Sequence, residues 1–193
     1  DMTDHGSAAA SSLMNALRAT YDASIAVGYS PLVSTSIYCG DYSKQQLLWV
    51  MAGNYAVSQG EYTGAELRQM MEWLVNVKDN GANPIRHRNY MPVTSGMEYK
   101  VTEYEQGKFR LEELTINGAP LDDTATYTVF VAGIDVWIEN EVYCNCPMPE
   151  NLKAKRTEYA IEGAESRSCL KDSLAVSKQF PAPSEYLTIV QGE

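Results

Sequence analysis

The sequence predicts an α/β fold of the α+β kind, with mixed sheets and flanking helices. Three observations carry that expectation. Leu67, Met70, Met71 and Leu74 recur at helical spacing directly behind a capping box. The pair Asn117-Gly118 lies between extended stretches of alternating residues, the pattern of a tight hairpin turn. Helical and extended stretches follow one another without strict βα alternation, which suits α+β or a mixed-sheet α/β layout.

Taken in order, Ser7 to Tyr21 reads as a helix with Leu13, Leu17 and Tyr21 on one face at four-residue steps. "SIAVGY" is a buried strand ending in a loop at Pro31. "SKQQLLWVM" opens with Ser43-x-x-Gln46, a capping box in which each side chain satisfies an orphan backbone donor, so a short helix should follow. "YAVSQGEY" is a strand, and Thr63-Gly-Ala-Glu66 is a second capping box that starts the amphipathic helix. Its Met70–Met71 pair reads as core packing rather than a binding groove. "NGANP" stops that helix, and a polar loop carries "IRHRN". "VTSGMEYKV" and "KFRLEELTI" are strands, and "TYTVFVAG" is the return strand beyond the Asn117-Gly118 turn, with a second turn between Pro120 and Asp123. Glu139 to Arg167 shows little periodicity, and "EYLTIV" reads as a closing strand. There is no internal repeat and no low-complexity tract.

The 193 residues suffice for one large domain or two small ones, and residues 1–193 are read as one. No apolar run reaches the about 18 residues a spanning helix needs, so no membrane insertion is expected of this segment. The net charge of −10 argues against nucleic acid as a partner, because a phosphate backbone needs a basic face. The chain starts at Asp1, and Ser, Ala and Gly dominate Gly6 to Ser12, as expected of a piece cut from a longer protein near a linker. The cysteines are Cys39, Cys144, Cys146 and Cys169. Their even number suits one or two disulfides in an exported protein, or buried thiols. Cys144-Asn-Cys146 is too tight for the usual metal knuckle, and His5 and His87 lie far off. Neither His stands in a nucleophile context, so Ser-His-Asp catalysis has no support.

Several words, in order, resemble the C-terminal domain of the 5′-nucleotidase family. "DASIAV" stands where the family's first strand lies, "GDYS" (40–43) matches its turn into a helix, and "MAGN" (51–54) stands at its P-F-G-N loop. "TGAELRQMMEWL" and "TSGMEYKV" match the next helix and strand, and "LTINGAPLDDTATYTV" matches its hairpin. The resemblance covers about residues 7 to 135, and residues 136–193 are a divergent C-terminal part. It implies a nucleotide-recognition domain, exported to the periplasm or cell surface. Its chemistry would lie in an upstream metallophosphoesterase domain of the same chain, where two divalent metal ions polarise phosphate and activate water. This segment itself would then carry no catalytic residue and no cofactor. "DHG" at Asp4 to Gly6 echoes a metal motif but stands without the other ligands.

The departures fall on the family's functional loops. At N-G-G-G-I-R this chain has "GYSPLVS" (28–34), without the Arg that would clamp the substrate. Ala52 or Gly53 replaces the base-stacking Phe, and "ENEVYCNCP" replaces the G-G-D-G loop. Aromatic contacts are therefore expected from Tyr29, Tyr55, Trp137 or Tyr143, with Asn54 hydrogen-bonding the ligand. Arg86 and Arg88 in "PIRHRN" could clamp phosphate, although basic residues after a helix C-terminus also suit a solvated loop. The resemblance thus implies recognition of a nucleotide or related phosphate ester. The alternative is a non-enzymatic binding or scaffold module of a surface protein that has lost nucleotide binding.

Overall fold

The computed structural model describes residues 7–29, 40–50, 53–76, 91–105, 108–134 and 148–192; of Tyr29, Lys44, Leu47 and Leu48 it describes the backbone alone. Helix α1 (Ala8–Thr20) starts at Ser7, whose hydroxyl accepts the Ala10 N–H at 3.4 Å, the role a serine plays at an N-cap. Leu13 and Leu17 on its apolar face are buried, and Tyr21 at its end stacks on Phe130 with ring centroids 4.7 Å apart. Strand β1 (Ile25–Tyr29) and helix α2 (Lys44–Val50) follow. At α2 the predicted capping box is formed: Ser43 N–H donates to Gln46 at 2.8 Å, and Gln46 N–H donates to the Ser43 hydroxyl at 3.2 Å. The second box joins strand β2 (Ala56–Thr63) to helix α3 (Gly64–Asn76), with Thr63 N–H to Glu66 at 2.8 Å and Glu66 N–H to Thr63 at 3.2 Å. Leu67, Met70, Met71 and Leu74 all lie in the core, as their spacing predicts.

The remaining elements are β3 (Pro92–Ser95), β4 (Glu98–Glu105), β5 (Lys108–Ile116), β6 (Ala119–Pro120), β7 (Thr126–Ala132), α4 (Glu150–Glu158), β8 (Ala160–Glu165), α5 (Ser166–Ser177) and β9 (Leu187–Gln191). They form two mixed sheets. The five-stranded sheet has the order β3-β1-β7-β2-β8, and the four-stranded sheet has the order β6-β5-β4-β9. In each, one pair is parallel, β1 with β7 and β4 with β9, and the other neighbours are antiparallel. Helix α1 packs on β1, β3 and α5, while α3 touches both sheets through β2, β3 and β5. The buried side chains form one core, the α/β arrangement the sequence predicts.

Three details differ from the sequence reading. "VTSGMEYKV" is two strands. Gly96 breaks it with φ +79°, a left-handed angle that favours glycine, and the chain passes there from one sheet to the other. The Asn117-Gly118 turn does close a hairpin, but its return strand is the two-residue β6. "TYTVFVAG" instead forms β7, the middle strand of the five-stranded sheet, because the Asp122–Ala125 turn redirects the chain. Val129 to Ala132 are buried without alternation, as suits a strand covered on both faces. Finally, the aperiodic stretch contains α4 and β8. Only Leu152 of α4 is buried and β8 is an exposed edge, so neither leaves an apolar rhythm in the sequence. Among the described residues no helix is long and apolar enough to cross a membrane.

Candidate functional site

The register of the five-stranded sheet places Tyr29 and the Asn54–Tyr55 loop at one end. Strands β1 and β7 run parallel with Gly28 beside Ala132, so both finish there. Strand β2 runs against β7 with Val57 beside Ala132, so it starts there. Strand β3 runs against β1 with Pro92 beside Tyr29, and β8 ends at Glu165 opposite Ala56. The described chain thus ends at Tyr29 and at Ile134 on this side of the sheet. Residues 53–55 and Met91 enter at the same end. In open α/β sheets the carboxyl ends of parallel strands are where ligands bind.

Tyr29 is the last residue of β1, and Asn54 and Tyr55 stand at the entry to β2. These are the site residues the structure brings together. Trp137, Tyr143, Arg86 and Arg88 lie outside the described residues. The chain is described again at Met91, next to the end of β1, after the segment that holds the two arginines.

The Asn54–Tyr55 loop is tied to the start of α5. The Tyr55 N–H donates to the Ser166 hydroxyl at 3.0 Å, and the Ser166 N–H donates to the Tyr55 carbonyl at 2.8 Å. The Asn54 amide donates from Nδ2 to the Glu165 carboxylate, and its Oδ1 accepts the Arg167 N–H at 3.2 Å. Asn54 is exposed, and an amide has two N–H donors and two acceptor lone pairs, so among the described residues one of each remains beyond these bonds. Tyr55 is half-buried against the core, and its ring folds back over Gly53. A Cβ at Gly53 would lie 2.4 Å from Tyr55 Cζ, so the ring occupies the space that any larger residue there would need. An aromatic face therefore stands at this loop although Ala52 and Gly53 provide none.

Glu165 also caps α5. Its side chain accepts the Ser168 N–H, and its own N–H donates to the Ser168 hydroxyl at 3.1 Å. Sequence reading missed Glu165, Ser166 and Arg167 altogether. A signal was present: Cys169, Leu170, Ser173 and Leu174 form a buried helical stripe directly behind them.

Of the four cysteines, only Cys169 falls within the described residues. It is a buried, unbridged thiol, and burial pushes its pKa up, away from reactive thiolate. At most one disulfide is thus left to the other three. Among the described residues no group of three or more His, Cys, Asp or Glu is placed to hold a metal ion. A separate open cleft of about 840 Å³ lies between the first turns of α1, Tyr42, Leu174 and the Phe180–Pro183 stretch. In it the rings of Tyr42 and Phe180 meet edge to face, with centroids 6.2 Å apart.

The profile of the family described as 5′-nucleotidase, C-terminal domain, matches residues 3–134. Solved structures match nearly the whole chain. A 5′-nucleotidase precursor from Thermus thermophilus is 17% identical with TM-score 0.63 over 95% of this chain and 35% of its own. The NAD nucleotidase of Haemophilus influenzae is 13% identical with TM-score 0.66 over 98% of this chain and 34% of its own. The sulfate thiohydrolase SoxB of Thermus thermophilus is 16% identical with TM-score 0.61 over 93% of this chain and 31% of its own. The chain thus spans about a third of the length of these structures. No curated protein matches it in sequence.

Proposed function

Because the chain belongs to the 5′-nucleotidase C-terminal domain family, we propose that it is the nucleotide-recognising domain of a metal-dependent phosphoesterase of nucleotide catabolism. In this reading it holds the substrate and does not hydrolyse it. The observation that supports the reading best is the sheet register, which brings Tyr29, Asn54 and Tyr55 to the carboxyl end of the parallel pair β1–β7. The donor and acceptor that Asn54 keeps beyond its bonds to described residues suit the polar edge of a base or a ribose hydroxyl. Tyr55 supplies a ring against which a base can stack, and Tyr29 and Trp137 are the further aromatic candidates by residue type. Arg86 and Arg88 are the candidates for phosphate, in place of the missing Arg of the family loop. The described residues do not suit a divalent metal, since no donor cluster is present among them. The metal ions and the water they activate belong, in this proposal, to a catalytic domain preceding this one, and the whole protein acts outside the cytoplasm.

A thermal-shift panel tests this directly. The 193-residue chain is heated with millimolar nucleosides, nucleotides and nucleotide-sugars. A ligand present at about a hundred times its Kd stabilises by about 2.7 kcal/mol, a rise of several degrees for a chain of this size. The proposal expects such a rise for at least one class. No rise for any of them favours the second reading, a binding or scaffold module on a nucleotidase fold. The altered loops "GYSPLVS" and "ENEVYCNCP" are the observation behind that alternative.

A further inference from the structure

We propose that the β8–α5 junction is a positioning element for the ligand site, with Glu165 as its key residue; this rests on the reading of that end of the sheet as the nucleotide site. The junction lies beyond residues 3–134, so the family match assigns it nothing. It nevertheless makes four hydrogen bonds to the Asn54–Tyr55 loop, from residues more than a hundred positions away. Ser166 at its centre is 0% exposed, which shields the two bonds to Tyr55 from competition by water.

The chemistry of the partners fixes which way the Asn54 amide points. A carboxylate only accepts, and a backbone N–H only donates. Nδ2 must therefore face Glu165, and Oδ1 must face the Arg167 N–H. A flipped amide would set oxygen against carboxylate and N–H against N–H. The donor and acceptor that Asn54 keeps for a ligand are thus assigned by the junction, and with them the hydrogen-bonding pattern the site can read. Fixing an exposed side chain before the ligand arrives also removes part of the ordering cost of binding. Glu165 is a positioning residue in this sense: it touches Asn54 and is assigned no contact with the ligand.

The test uses the 193-residue chain as wild type, Glu165→Ala, Glu165→Gln and Ser168→Ala. Ser168→Ala weakens the cap of α5 without touching Asn54, and the Gln oxygen can still accept from Asn54. Adenosine 5′-monophosphate is the probe, titrated by calorimetry, with the Asn54 side-chain amide followed by NMR. The expectation is that Glu165→Ala weakens binding about five- to tenfold, the effect of freeing one side chain. Glu165→Gln and Ser168→Ala should stay within about twofold of wild type. Wild-type affinity in Glu165→Ala, or an equal loss in Ser168→Ala, overturns the proposal. If the wild type does not bind this probe, the thermal-shift panel decides the nucleotide reading separately, and the Asn54 resonances decide the positioning claim. Nδ2 proton shifts that move in Glu165→Ala, but not in Ser168→Ala, toward the values of a freely solvated Asn side chain support it; unchanged shifts in Glu165→Ala overturn it.

Discussion

Glu66 carries a testable electrostatic consequence at the scale of one residue. Burial alone would raise its pKa, but hydrogen bonds from Lys155 Nζ at 2.6 Å and the Thr63 N–H at 2.8 Å outweigh it and hold the carboxyl below its usual value. Its folded pKa is thus depressed relative to the unfolded chain. The stability it contributes is present above the unfolded value of about 4.3 and is lost as pH falls through the folded value. Denaturant unfolding of wild type and Glu66→Gln between neutral and acid pH should show a gap that closes on acidification. A gap independent of pH would mean that the charge on Glu66 adds nothing. The Thr63–Glu66 pairing was legible in the sequence because its partners are three residues apart. Lys155 was not, since it reaches Glu66 from α4, 89 positions away. The same holds for Asn54, whose residue type pointed to a hydrogen-bonding role while its partners 111 and 113 positions away left no local mark.

Among the elements, the β5–β6 hairpin isolates backbone strain from packing. Asn117 has φ +52° and Gly118 φ +76°, the two positive angles that a type I′ turn needs. A Cβ at Gly118 would meet nothing within 4 Å, so Gly118→Ala adds no clash. Its cost should be the left-handed angle alone, about 1–2 kcal/mol, read as a lower midpoint in denaturant. Gly118→Asn should lose less, because Asn tolerates that angle. Equal losses would point to some other cause. The turn was legible, but the strand that follows it was not assigned correctly. Hairpin chemistry specifies how the chain reverses and not how far it then pairs; after β6 the Asp122–Ala125 turn sends β7 into the other sheet. Helix α4 and strand β8 were illegible for a different reason: they rest on the surface of the fold, and periodicity arises only from a buried face.

For the whole molecule, the family resemblance ends near residue 135 but the core does not. Cys169, Leu170 and Leu174 of α5, with Tyr186, Leu187 and Ile189 at β9, are buried in the same core as α1 and α3. Strands β8 and β9 each complete one side of a sheet. A chain ending at Ile134 should therefore lose cooperative unfolding, while the 193-residue chain keeps it; a sharp transition in the shorter chain would refute a shared core. The order of motifs made the fold legible from the first two thirds of the sequence. The site was legible only as a set of candidate residues, because strand register is what brings their segments together. Backbone amide chemical-shift mapping of the 193-residue chain with adenosine 5′-monophosphate tests that convergence most directly. The perturbed amides should cluster at Tyr29, Asn54–Tyr55, Ala132–Ile134 and Glu165–Arg167, at the carboxyl end of β1 and β7. Perturbations confined to the cleft beside Tyr42 and Phe180, or spread without a focus, would contradict it.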